Sequence, residues 1–341
     1  MKQVWIARAG EPEVLEVREA ADPSPGRGEL LVDVRAAGIN FADVMARMGL
    51  YPDAPPLPCV VGYEVAGVVR EVGEGVERFA VGDRVVGLTR FGGYSSVVAA
   101  PEVQFDAIPE RLSFVQAAAI PVNYLTAWIM LVELGNLKAG ERVLVHAAAG
   151  GVGQAAVQIA RWRKAEIFGT ASAGKHARLK ELGVDHCIDY RSQDFEKEVM
   201  RITGGKGVHV ALDAVGGESF RKSYRTLGTF GRLFMFGVSS IVSGKRRSLF
   251  QALKTVIQMP RWQTRPLMDD NQGVFGINLG HLWDEQERIG TMLREIMGLV
   301  EEGVLEPIVD ASFPHEDAAK AHHYIQDRKN FGKVILRFGE D

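Results

Sequence analysis

The sequence predicts an α/β protein in two parts, a compact β-barrel followed by a doubly wound parallel sheet. The first third reads as short strands divided by Gly and Pro turns. From about Tyr124 the rhythm changes to strands alternating with helical patterns, as a parallel sheet with crossover helices requires. The third observation is a small-residue turn, Ala147-Ala148-Ala149-Gly150-Gly151-Val152-Gly153, set between an apolar strand and a helix.

In chain order, strand-like runs occupy residues 4–8, 30–36, 64–72, 84–88 and 94–99. Turn chemistry separates them at Pro23-Ser24-Pro25-Gly26, Gly73-Glu74-Gly75, Val81-Gly82-Asp83 and Phe91-Gly92-Gly93. Residues 51–58, rich in proline, form a stiff loop. Beyond Tyr124 the expected elements are a strand at 142–146, a helix at 152–164, a strand at 166–170 and a helix at 175–182. A strand at 186–189, a helix at 195–202 and strands at 208–212 and 232–237 follow. A basic segment, 244–268, interrupts the alternation. After it come a strand at 273–279, a long helix near 284–302, and a tail that returns to a helix and a strand at 333–338.

A chain of 341 residues is long enough for two domains. A net charge of −3 argues against a nucleic-acid partner. Two cysteines, Cys59 and Cys187, exclude a disulfide framework and any multi-cysteine metal site. With no apolar signal core at the N-terminus and no uncharged apolar run long enough to span a bilayer, a cytoplasmic location is expected.

The turn has a physical reading. Small residues let the backbone approach a pyrophosphate, and the following helix N-terminus offers free N–H groups and a positive dipole end. Ala149, Gly150, Gly151 and Val152 would hold the phosphates, and Gly153 would let the helix sit close to the sheet. An NAD-binding fold carries an acidic residue at the end of the second strand. Here that strand runs into Ala171-Ser172-Ala173-Gly174-Lys175, without an acid. A hydroxyl and an ammonium group suit a 2′-phosphate, so NADPH is the expected cofactor. Tyr190, after the third strand, can add a hydroxyl from the other side.

These residues, with several further runs, resemble the medium-chain dehydrogenase/reductase superfamily over nearly the full chain. The runs are Ala37-Gly38-Ile39-Asn40-Phe41-Ala42-Asp43, Gly62-Tyr63-Glu64-Val65-Ala66-Gly67, Gly82-Asp83-Arg84-Val85 and Phe331-Gly332-Lys333-Val334-Ile335-Leu336. Within the superfamily the chain resembles the zinc-free quinone oxidoreductase branch. Asn40 to Tyr51, Val122-Asn123-Tyr124-Leu125-Thr126-Ala127 and Phe275-Gly276-Ile277-Asn278-Leu279-Gly280-His281-Leu282 are most similar to its vesicle amine transport protein subgroup. The resemblance implies a GroES-like β-barrel catalytic domain from residues 1–123 and 284–341, and a Rossmann domain at 124–283 with a basic insertion at 241–270. It places the nicotinamide in a cleft between them. It further implies cofactor contacts from Asn40, Thr126, Gly216, Phe236, Gly237, Phe275 and Lys333, and a catalytic set of Asn40, Tyr51 and Thr126.

In the alcohol dehydrogenases of the superfamily a Cys and a His ligate catalytic zinc. The matching positions here are Asn40 and Tyr63, poor zinc ligands beside thiolate and imidazole. The stretch after Leu88 lacks the four clustered cysteines of a structural zinc lobe. His322 and His323, adjacent on a helix, are expected as surface or packing residues. No metal is expected. Without a Lewis acid, the remaining chemistry is hydride transfer from NADPH to an already polarised quinone or α,β-unsaturated carbonyl compound. Asn40 and Tyr51 can each donate a hydrogen bond to the developing oxyanion. The proton comes from Tyr51 or from water, and no His, Asp or Glu stands out as general acid.

From 219 to 268 there is no Asp or Glu, while Lys245, Arg246 and Arg247 accompany apolar residues at helical spacing. The segment can be a lid over the cofactor, an arm on a partner subunit, or an amphipathic helix touching an anionic membrane. The last option supports a second functional reading, an NADPH-binding, lipid- or membrane-associated protein with little or no catalysis. The strand at 273–279 carries no charge or proline, so it is expected at a sheet edge that pairs with its own copy in a homodimer.

Overall fold

The computed structural model describes residues 1–241, 255 and 257–339. Residues 242–254 and 256, within the basic insertion 241–270, lie outside the described residues. The chain divides into two compact units, Met1–Leu125 with Leu279–Asp341, and Thr126–Asn278.

The first unit begins with β1 (Lys2–Ile6) antiparallel to β2 (Leu15–Glu19). The 11-residue β3 (Glu29–Ile39) leads into α1 (Phe41–Arg47). There follow β4 (Glu64–Val72), β5 (Arg84–Leu88), β6 (Val97–Pro101), β7 (Phe105–Ala107), α2 (Phe114–Ala117) and α3 (Pro121–Trp128). The long apolar β3 organises the sheet, because it bonds to β4, to β6 and, near its end, to a strand from the C-terminal tail. Its inward residues Leu30, Val32 and Val34 join Val65, Val85 and Val98 in one core. Each such side chain contributes roughly 1.5–3 kcal/mol when fully buried.

The second unit carries β8 (Arg142–Val145), α4 (Gly151–Trp162), β9 (Glu166–Ala171), α5 (His176–Leu182), β10 (His186–Asp189) and α6 (Phe195–Ile202). It continues with β11 (Val208–Asp213), α7 (Glu218–Arg225), β12 (Leu227–Met235), α8 (Thr264–Asp270) and β13 (Gly273–Gly276). All pairings are parallel, in the order β10-β9-β8-β11-β12-β13. This is the 3-2-1-4-5-6 order of a dinucleotide-binding sheet, with its switch point between β8 and β11. Leu144, Phe168, Ile188, Ala211 and Leu233 make the core beneath it.

The chain then returns to the first unit through α9 (Gln286–Glu301), β14 (Val309–Pro314), α10 (Ala318–Gln326) and β15 (Lys333–Arg337). β15 pairs antiparallel with β3, bringing the tail onto the strand that precedes Asn40.

Three expectations need correction. β12 starts five residues before the expected Arg232, because residues 228–231 bulge out between its two pairings with β11. β13 stops at Gly276 rather than Leu279, since its partner β12 ends at Met235 and only Ile277 N–H still reaches the Met235 carbonyl. The helical stretch Phe114–Glu133 is long and apolar enough to cross a membrane, contrary to the expectation of no such run. It is 78% buried within the protein, as a core helix is.

Candidate functional site

In the first unit the site grows from the end of β3. Asn40 caps α1, and its backbone N–H donates to Asp43 Oδ2 at 2.8 Å. That carboxylate leaves the Asn40 amide to other partners. Its Oδ1 accepts from Lys333 Nζ at 2.7 Å, and its Nδ2 donates to Glu64 Oε1 at 3.0 Å. Glu64 Oε1 also forms an ion pair with Lys333, and Glu64 Oε2 accepts the Val122 N–H at 2.7 Å. Glu64 is 0% exposed and Lys333 3%. Gly38 makes room for the pair: a Cβ there would stand 2.7 Å from Lys333 Cε and closer still to Glu64.

Beneath this lies a second buried group. Asp43 accepts Tyr94 OH at 3.1 Å and the Gly62 N–H at 3.2 Å. Burial pushes its carboxyl up to about 7, against the pull of the Asn40 N–H, Lys333, Tyr94 and Gly62. Tyr94 OH also lies 3.3 Å from His322 Nε2, and burial holds that imidazole down at about 3. His323 is half-buried and meets Glu13 at 2.7 Å. Tyr51 is half-buried and Tyr63 buried. Burial raises the pKa of both phenols, most strongly that of Tyr63.

This donor set does not suit a zinc ion. An amide and a phenol stand where thiolate and imidazole would ligate, and the Lys333 ammonium bonds directly to that amide. Among the described residues no group of three or more His, Cys, Asp and Glu side chains could hold a metal ion.

In the second unit the glycine turn leads from β8 into α4. Ala147 adopts φ 51°, and its carbonyl accepts the Gly150 N–H at 2.8 Å. Gly150 is the N-cap and supplies no side chain, so no cap bond occupies the first-turn N–H groups of α4. A Cβ on Gly153 would come within 2.7 Å of Ala148 Cα, so only glycine lets the helix lie this close to the turn. The turn is therefore fit to receive a pyrophosphate at an uncapped helix N-terminus.

Ser172 and Lys175 follow β9, with Lys175 ending a single 3-10 turn, Ala173–Lys175. Tyr190 follows β10, exposed. Gly216, with φ 86°, follows β11, and Phe236 and Gly237 follow β12. These residues and Ala149 to Val152 thus cluster at the carboxyl ends of neighbouring parallel strands. Phe275 instead lies within β13, its ring stacked on Phe234 at 4.9 Å. Thr126 is buried in α3.

Nothing local in the sequence marks Asp43 and Glu64 as buried acids. The pairing of β15 with β3, Val334 opposite Ile39, is the signal that would have placed Lys333 beside Asn40.

A parallel sheet in this order, with an uncapped glycine turn, and a β-rich unit assembled from both ends of the chain define a medium-chain dehydrogenase/reductase. The Alcohol dehydrogenase GroES-like domain family matches residues 26–110, and the Zinc-binding dehydrogenase family residues 182–336. The human synaptic vesicle membrane protein VAT-1 homolog is 43% identical over 323 residues, 94% of this chain and 82% of that protein. Escherichia coli quinone oxidoreductase complexed with NADPH is 32% identical with a TM-score of 0.87, covering 99% of this chain and 100% of that one. CurK enoyl reductase is 32% identical with a TM-score of 0.85, covering 98% of each chain. The chain belongs to the zinc-free branch of the medium-chain dehydrogenase/reductase superfamily that holds the quinone oxidoreductases and the VAT-1 proteins.

Proposed function

We propose that the protein is an NADPH-dependent, metal-independent reductase of quinones or α,β-unsaturated carbonyl compounds. The observation that carries this is the uncapped glycine turn of α4, followed at the end of β9 by Ser172 and Lys175 with no acid. Ala149 to Val152 would bind the pyrophosphate, and Ser172, Lys175 and Tyr190 the 2′-phosphate. Gly216, Phe236, Gly237, Phe275, Thr126, Asn40 and Lys333 would complete the cofactor site. The bound cofactor supplies the hydride.

The chain supplies orientation and polarisation. With one Nδ2 hydrogen held by Glu64, Asn40 keeps a second for an acceptor oxygen. Burial keeps the Tyr51 phenol protonated through the neutral range, so it acts as a donor to a developing oxyanion. Two structural relatives, a quinone oxidoreductase complexed with NADPH and an enoyl reductase, support this acceptor class. Stopped-flow oxidation of NADPH with a panel of quinones and enones tests it. Hydride transfer should be faster than in buffer for at least one acceptor, and no acceleration with any of them defeats the proposal.

A second reading is an NADPH-binding protein that works at an anionic membrane surface. Arg221, Arg225 and Arg261 line a cavity of about 670 Å³ with Tyr224, Met259 and Trp262, a basic and aromatic wall. The VAT-1 homolog is named a membrane protein of synaptic vesicles. Flotation with anionic vesicles decides it. Binding that a Lys245, Arg246, Arg247→Ala variant loses would favour this reading, and no flotation of the wild type removes it.

A further inference from the structure

A buried hydrogen-bond chain crosses the carboxyl ends of the three central strands of the parallel sheet, and the proposed chemistry leaves it unused. Strand register creates it. Val145 of β8 stands opposite Gly169 of β9 and Leu212 of β11. The next residues, His146, Thr170 and Asp213, therefore come level as the strands end, and all three are buried.

The direction of each bond follows from its donors. Asp213 Oδ2 accepts from Ser219 Oγ at 2.7 Å and Ser223 Oγ at 2.6 Å. Its Oδ1 accepts the Val215 N–H at 2.7 Å and the Gly216 N–H at 3.4 Å. The Ser223 proton is committed to Asp213, so the Ser223 oxygen accepts from His146 Nε2 at 3.0 Å. That tautomer leaves Nδ1 as an acceptor, and its partner at 3.1 Å is Thr170 Oγ1, which donates. Thr170 Oγ1 in turn accepts the Ala147 N–H at 3.3 Å. Burial pushes the His146 pKa down, which suits a neutral ring with one donor and one acceptor. The chain thus runs one way, from Ala147 to Asp213, with every member satisfied.

Both ends hold loops that the NADPH reading assigns to the cofactor. Ala147 begins the glycine turn in a left-handed conformation that is uncommon for a residue with a Cβ. At the other end, the Asp213 side chain holds the backbone of Val215 and Gly216, and its carbonyl accepts the Phe236 N–H at 3.1 Å. We propose that Thr170, His146 and Ser223 are positioning residues that lock the 147–150 turn to the 215–216 loop for dinucleotide binding. The inference rests on the NADPH reading. Removing a link frees Ala147 to relax, and the first-turn N–H groups of α4 lose their aim at the phosphates.

The test is the NADPH dissociation constant, read by quenching of protein fluorescence, alongside the thermal midpoint of the cofactor-free protein. Thr170→Val should bind NADPH at least tenfold more weakly, and Thr170→Ser, which keeps the hydroxyl, should stay within twofold of wild type. Ser223→Ala breaks the chain midway without touching either loop and should weaken binding at least threefold, which keeps the test open if the valine variant misfolds. Variants that melt earlier but bind NADPH as tightly as wild type would overturn the inference. So would a serine variant as weak as the valine one. A wild type that binds no NADPH sinks the cofactor reading itself, an outcome distinct from either.

Discussion

Replacing Glu64 by Gln isolates the buried ion pair beside Asn40. The carboxylate is fully enclosed and accepts three hydrogen bonds, from Lys333, Asn40 and Val122. A glutamine can turn its oxygen toward Lys333 and Asn40 or toward Val122, but not both. In the first orientation its amide N–H meets the Val122 N–H, donor against donor, leaving a buried donor unpaired at about 1–3 kcal/mol. In either orientation the Lys333 ammonium, 3% exposed, loses its counter-charge. Removing one partner of a buried pair costs roughly 3–5 kcal/mol, which we take as the total for Glu64→Gln. With an unfolding entropy of about 2.1 cal/mol/K per residue over 341 residues, each kcal/mol shifts the midpoint by about 1.4 °C, so it should fall by roughly 4–7 °C. Differential scanning calorimetry with urea unfolding measures it. Adding Lys333→Met removes the orphaned charge and should recover much of the loss, because replacing both members of a buried pair by apolar groups is often neutral. A drop below about 1 kcal/mol, or a double variant no more stable than Glu64→Gln, would refute the reasoning.

Four further outcomes are expected. Gly153→Ala drives a Cβ into the backbone of Ala147 and Ala148, so it should cost about 1–3 kcal/mol in stability, with NADPH affinity falling at least tenfold in a fluorescence titration. Lys175→Ala should weaken NADPH by about tenfold to a hundredfold, from a charge-assisted bond of roughly 1.5–3 kcal/mol, and hardly change NADH; equal losses would show that Lys175 does not read the phosphate. His322 has its folded pKa near 3 against an ordinary 6.5, so the unfolded chain binds more protons between those values. Its stabilising contribution is present above pH 6.5 and is lost as pH falls toward 3, while Asp43, raised from 3.8 to about 7, acts with the opposite sign in both proteins. The stability gap between wild type and His322→Gln should thus narrow by about 2 kcal/mol from pH 6.5 to 5, and a gap independent of pH would contradict the burial argument. Finally, we expect a dimer paired along β13, so Val274→Pro, which removes an edge donor, should shift the mass seen by light scattering toward monomer; an unaffected dimer would place the interface elsewhere.

The local patterns of the chain carried much of the fold. The alternation after Tyr124 announced a parallel sheet, because buried strands read as apolar runs and their crossover helices as amphipathic ones. β4, β5, β10 and α6 stand where the sequence places them. The glycine turn was legible because a tight helix–strand approach admits few residue types at Gly153. The missing acid after β9 was equally plain. Strand ends were less legible: β12 and β13 owe theirs to a bulge and to a partner's length, which no single strand's pattern encodes.

The sequence alone determined which chemical groups are available: an amide and a phenol at the zinc-ligand positions, a small-residue phosphate turn, and a lysine in place of an acid. Only the tertiary structure decided which of them act together. Asn40, Glu64 and Lys333 meet because β3 pairs with β4 on one side and with the C-terminal β15 on the other, and because Gly38 leaves space for both charges. His146, Thr170 and Asp213 meet because three strands end at the same level. In both cases the cause is hydrogen-bond register between strands distant in the chain. Register is set by the packing of whole sheets, so residues of one composition can be solvated charges in one pairing and a buried, fully bonded network in another.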